Sequence, residues 1–122
     1  MSDKTPKPVL INLKTESRLL VIEYEDKEHF ELSCELLRVY SPSAEVRGHG
    51  PGQEVLQIGK ENVAITDVEA VGNYAVKLVF DDGHDSGLYT WDFLYDLGKR
   101  QEEYWQKYLH ALAHAGHERT AN

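Results

Sequence analysis

Apolar and polar positions begin to alternate at Val9. "VLINLKTESRLLVIEY" holds two strand-like runs, residues 9–13 and 19–24, and the polar "KTES" between them reads as a hairpin turn. "HFEL" continues as a third short strand. Phe30, Leu32, Cys34 and Leu36 would extend that alternation, but Ser33 is a good N-cap and "CELLR" favours helix. The pattern therefore predicts a short helix from Cys34 to about Tyr40, stopped at "SP" because a residue before proline avoids the helical region. "SPSAEVRGHGPGQ" reads as a Gly- and Pro-rich loop.

Three more strands are expected. Val63–Val71 is one. Tyr74, Val76, Leu78 and Phe80 alternate with less apolar positions and mark the second, with "GN" at 72–73 as a tight turn between the two. Leu88–Trp91 is the third and leads into "WDFLYDLG", a short helix that Gly98 should end. The last helix should run from about Lys99 to Ala115, with Trp105, Tyr108, Leu109 and Leu112 on one stripe. The predicted fold is α+β: an antiparallel-rich sheet of about five or six strands, with a short helix and a C-terminal helical segment packed on it. Residues 1–8 read as a flexible tail, 9–98 as the domain, and 99–122 as a C-terminal helix and tail.

Composition narrows the function classes. The 122 residues suit one domain. Thirteen basic residues face 21 acidic ones, for a net charge of -8, and the basic residues are scattered. A nucleic-acid partner is not expected, since phosphates must be neutralised by Lys and Arg. No run approaches the ~18 apolar residues of a membrane span, and "MSDKTPKP" lacks the apolar core of a signal peptide. The single cysteine, Cys34, excludes an internal disulfide and lies among apolar neighbours as a core residue would. The expected protein is cytosolic and monomeric, with a protein partner as its target.

Candidate chemistry is sparse. "FDDGHDSGLYTW" gathers carboxylates, His84 and Ser86 in one stretch, but "DDG" between alternating runs is turn chemistry, with Gly83 at positive φ and solvated carboxylates. His110, His114 and His117 share a helix face opposite the apolar stripe and read as a solvated helix end. "GHGPG" at 48–52 lacks the lysine and serine of a phosphate loop. No nucleophile–base pair stands out.

"LLRVYSPSAEVRGHG" and "NYAVKLVFDDGHDSGLYTWDFLYDLG" together resemble the gamma-butyrobetaine hydroxylase-like N-terminal domain, over roughly residues 9–98. That family occurs as short stand-alone bacterial proteins, fused to an Mrp-type iron–sulfur carrier ATPase, and as the non-catalytic N-terminal domain of gamma-butyrobetaine and trimethyllysine dioxygenases. The resemblance implies a zinc site in the dioxygenases, held by a Leu-Arg-x-x-Cys-x-Cys-x-x-Cys motif and a histidine in Asp-x-His. Here Leu37 and Arg38 match the start of the motif. Ser41, Ser43 and Val46 occupy the cysteine positions, and His84, preceded by Asp82, occupies the histidine position. One ligand of four survives, which should end tight zinc binding. His49, Glu45 and Asp85 are the alternative donors that would join His84 in a degenerate zinc or iron site. The function expected is a non-catalytic scaffold or adaptor without a cofactor. The fused ATPase turns attention to iron–sulfur or protein-quality-control machinery; the runner-up is a metal-binding protein through His84.

Overall fold

The hairpin expected near the N-terminus forms, and four further segments pair as the alternation predicts. The computed structural model describes residues 5–48 and 54–119. Strands β1 (Pro8–Lys14), β2 (Leu19–Tyr24) and β3 (His29–Ser33) form one antiparallel sheet in the order β1-β2-β3. Strands β4 (Ile65–Val71), β5 (Ala75–Phe80) and β6 (Leu88–Thr90) form a second, in the order β4-β5-β6. Four helices complete the chain: α1 (Cys34–Val39), α2 (Ala44–Arg47), α3 (Trp91–Lys99) and α4 (Gln101–His114). The α+β class is as expected, but the single five- or six-stranded sheet is not: six strands divide into two sheets of three. Between β3 and β4 the chain makes two helices and a long irregular segment, and α1 and α3 pack beside β3.

One core nonetheless joins the sheets. Leu20, Ile22 and Tyr24 from β2 meet Val76, Leu78 and Phe80 from β5, with Leu36, Leu37, Leu94 and Leu97 from the helices. The period-2 apolar face of β5 is buried as read; Tyr74 instead lies in the turn, 52% exposed. Val71 pairs with Ala75, so the turn has three residues rather than two, with Gly72 at φ +55°. Pro8 pairs with Tyr24, so the expected N-terminal tail gives up its last residue to β1.

Local rules explain two of the four helix starts. Ser33 caps α1 by accepting from the Leu36 N–H at 3.0 Å, and Thr90 caps α3 by accepting from Phe93 at 3.2 Å. Tertiary packing overrides one expected stop. Gly98 does not end α3, which continues to Lys99 with Arg100 as its C-cap. The glycine serves close packing instead: a Cβ there would come within 2.3 Å of Phe30 Cγ. Phe30 is buried and forms edge-to-face pairs with Tyr24 and Tyr95, so its ring has nowhere to go. Gly98→Ala is expected to lower stability by about 2 kcal/mol in urea unfolding, because overpacking outweighs the ~1 kcal/mol that alanine adds to a helix. A variant at or above wild-type stability would show that Phe30 moves aside freely.

The apolar stripe of α4 folds back onto the domain. Tyr108 and Leu112 are buried against Val39, and Trp105 and Leu109 are half-buried beside them. Beyond the helix, Arg119 reaches Glu35 on α1 with Nη2–Oε1 at 2.6 Å and stacks over Trp105 at 5.1 Å. No helix among the described residues is long and apolar enough to cross a membrane.

Candidate functional site

The site grows from two turns that lie more than 40 residues apart in sequence. The first follows α1. Pro42 holds the chain extended, so Ser41 and Ser43 both point back into the domain, buried at 1% and 6% exposure. Ser43 precedes α2 at its N-cap but makes no capping bond there. Its hydroxyl lies 3.4 Å from His84 Nε2 instead. The second turn follows β5. Gly83 takes φ +91° and donates its N–H to Phe80 O, closing the "DDG" turn as its residues predict. That turn drives His84 inward, where its side chain is only 3% exposed.

His84 is saturated by side chains. Nε2 lies 2.8 Å from Ser41 Oγ, and Nδ1 lies 2.9 Å from Glu45 Oε1. All contacts are satisfied when Nδ1–H donates to the carboxylate and Nε2 accepts the Ser41 hydroxyl proton. Burial first, then the nearby Arg38 guanidinium, push the His84 pKa below its ordinary 6.5, against the pull of Glu45 and Asp82. The expectation of a solvated hairpin tip is therefore corrected at His84, which is a buried member of a polar knot.

Asp82 ties the knot to α1. Its Oδ2 accepts from Arg38 Nε at 2.9 Å and from Lys60 Nζ at 2.7 Å, and its Oδ1 accepts the His84 N–H at 3.1 Å. Burial alone would raise the Asp82 pKa. The Lys60 hydrogen bond, the His84 N–H and Arg38 outweigh it and hold the value at about 2. Tyr89 donates its buried hydroxyl to Leu37 O at 2.7 Å. Gly87 closes the site from the other side: a Cβ there would sit 2.5 Å from Ser41 Oγ.

The residues that the resemblance singled out thus converge: Ser41 and Ser43 touch His84, and Val46 is buried nearby on α2. Of the alternative donors, Glu45 meets His84, Asp85 is exposed, and His49 lies outside the described residues. The donor set does not fit zinc. It offers one imidazole and one carboxylate; the other positions hold two neutral hydroxyls and a valine. Among the described residues, no group of three or more His, Cys, Asp and Glu side chains is placed to hold a metal, the exposed His110, His114 and His117 included. Protein purified without a histidine tag is expected to carry well under one equivalent of zinc or iron, and chelator should leave its Tm unchanged, since a structural metal adds folding free energy directly. One equivalent of metal, or a lower Tm with chelator, would refute this.

Ser41, His84 and Glu45 also stand in the order that activates a nucleophile, which sequence inspection did not find because 43 residues separate the serine from its base. Access argues against that use. Ser41 is 1% exposed, its hydroxyl is engaged by His84, and a Cβ at position 87 would come within 2.5 Å of Oγ, so little room surrounds the hydroxyl. Arg38, Asp82 and Lys60 were likewise not legible as a group. Cys34 is 1% exposed, and burial pushes its thiol pKa up, which is the chemistry of a core residue.

The described residues form a two-sheet α+β domain with a buried polar knot around His84. The gamma-butyrobetaine hydroxylase-like N-terminal family model matches residues 11–95, and the chain belongs to that family. It is similar to two proteins known from NMR solution structures. One is 53% identical, with a TM-score of 0.83, over 99% of this chain and 90% of the other. The second is 49% identical, with a TM-score of 0.82, over 97% and 93%. A crystal structure from Acidithiobacillus ferrooxidans, of a protein with unknown function in the DUF971 family, is 35% identical with a TM-score of 0.64, over 75% and 92%. No curated protein matches the chain.

Proposed function

We propose that the chain is a non-catalytic, cytosolic adaptor that binds a protein partner along the outer edge of β1. The observation that carries this is the character of that edge. β1 is seven residues long and pairs only with β2 among the described residues. Residues 9–13 carry no charge, and Val9 and Leu10 are 64% and 46% exposed. An edge strand presents unpaired N–H and C=O groups, and natural proteins guard such edges with charge, bulges or cover. The other long edge strand, β4, has Asp67 and Glu69, and β3 has α1 and α3 beside it. β1 has only Pro8, Lys14 and a register shift near its start. Strand addition by a partner would use the free backbone groups for affinity and Val9 and Leu10 for selectivity.

A photoreactive amino acid placed at Val9, and separately at Glu69, tests this in the native host. One protein crosslinked stoichiometrically from Val9 and absent from Glu69 supports the adaptor. No adduct from Val9, the same adducts from both positions, or an adduct with a second copy of the chain counts against it.

A further inference from the structure

A groove of about 800 Å³ opens where α1, α2, α3, α4 and residues 54–57 meet, within the ~300–1,000 Å³ range of small-molecule sites. Its wall is made of rings and aliphatic groups, among them Tyr40, Phe93, Tyr104, Tyr108, Val46 and Leu56. The phenolic hydroxyls of that wall are already committed. Tyr40 donates to Tyr104 O at 2.9 Å, Tyr104 donates to Asp96, and Tyr108 donates to Glu35 Oε2 at 2.7 Å. Ser41 is bonded to His84, and the Gln57 amide donates to Val55 O. The tyrosines therefore offer a ligand their rings and not their hydroxyls.

The charges at the groove run against those of the chain. Arg47 and Lys107 line it with one acid, Glu54, in a protein of net charge -8. Arg38, Lys60, Lys77, Lys99, Arg100 and Arg119 each lie within 4.0 Å of a carboxylate. Arg47 and Lys107, like Lys7, Lys14, Arg18 and Lys27, make no such contact among the described residues, although Lys107 is near enough to Glu103 to help lower its pKa; Arg47 rests 5.4 Å over the Phe93 ring at the groove wall. Two cations without a close carboxylate contact, beside rings whose hydroxyls are already engaged, favour one ligand chemistry. We propose that this groove binds an amphipathic anion, a medium-chain or aryl carboxylate, with its apolar body on the aromatic rings and its carboxylate at Arg47 and Lys107. The site is separate from the β1 edge and does not depend on the adaptor reading.

The test is a titration of decanoate, below its micelle concentration, into the ¹⁵N-labelled full chain, with decyltrimethylammonium as the probe of equal length and opposite charge. Saturable shifts centred on the amides of Val55, Phe93 and Tyr104 are expected. The cationic probe should bind about tenfold more weakly, and Arg47→Gln/Lys107→Gln should weaken decanoate by about tenfold. Both substituted side chains are exposed, so the double variant should keep the wild-type spectrum. Shifts centred elsewhere, no saturation, equal binding of the two probes, or an unchanged affinity in the folded double variant would each overturn the proposal.

Discussion

Ending the chain after Arg100 is expected to destabilise the domain by about 5 kcal/mol. Tyr108 and Leu112 leave the cover of Val39, and burial of a large apolar side chain contributes ~1.5–3 kcal/mol. Glu35 adds to this. It is 6% exposed and held by the Tyr108 hydroxyl at 2.7 Å and by Arg119 through two bonds at 2.6 and 2.7 Å. Hydrogen bonds to a charged group are worth ~1.5–3 kcal/mol, although the truncation also lets water reach the carboxylate and returns part of that loss. The sum approaches the whole stability of many domains of this size, ~5–15 kcal/mol. Urea unfolding of the truncated chain should show a midpoint near zero denaturant or a chain already unfolded. Tyr108→Phe isolates the polar part, because it keeps the ring and removes one bond to Glu35; a loss of about 1–2 kcal/mol is expected. A truncated chain with the wild-type midpoint would mean that α4 is not part of the folding unit, even though its stripe is buried.

The strands were legible because their signals are local. Alternation at Val76, Leu78 and Phe80 reports one buried face, and the turn residues at 72–73 and 81–83 fall between the runs. The division into two sheets was not legible. It depends on α1 and α3 packing beside β3, and no pattern within any single segment encodes it. Gly98 failed for the same kind of reason: a helix-stop rule is local, whereas its close approach to Phe30 spans 68 positions. Ser43 carried the signal of an N-cap for the short helix α2, which a Gly- and Pro-rich segment concealed, yet its hydroxyl serves His84 rather than the helix. The resemblance aligned Ser41, Ser43 and His84, and the fold brings them together. The aligned motif also quoted Arg38 beside Leu37. Nothing in the spacing shows that Arg38 is buried and meets Asp82 across 44 residues, because long-range ion pairs leave no periodic trace.

Asp82→Ala is expected to cost about 3 kcal/mol at pH 7 and to change how stability depends on pH. Arg38 is 7% exposed, and its Nη1 already has no hydrogen-bond partner. Removing Asp82 strips its Nε as well, and an unpaired buried charge costs ~3–5 kcal/mol. Asp82→Ala/Arg38→Met should recover much of the loss, since removing both partners leaves no buried charge, and the double-mutant cycle should show coupling of at least ~1 kcal/mol. Two shifted groups of the site, Asp82 and His84, shape the pH profile. The folded pKa of Asp82 is lowered from 3.8 to about 2, so its contribution is complete above the unfolded value and is lost as pH falls through about 2. At 1.36 kcal/mol per pKa unit this is about 2 kcal/mol, and the 23% exposure of the side chain trims it somewhat. His84 acts in the same direction at higher pH. Its folded pKa is lowered below 6.5, so the unfolded chain takes up a proton first and stability declines as pH drops below about 6.5. Wild-type stability should therefore fall in two stages on acidification, first from His84 and then from Asp82. In Asp82→Ala the lower stage should shrink to what the exposed Asp26 and Glu103, whose pKa values are also lowered, still contribute, while the upper one remains. If the lower stage is undiminished in Asp82→Ala, the acid-labile carboxylate lies elsewhere, and the Arg38–Asp82–Lys60 group does not hold the knot closed.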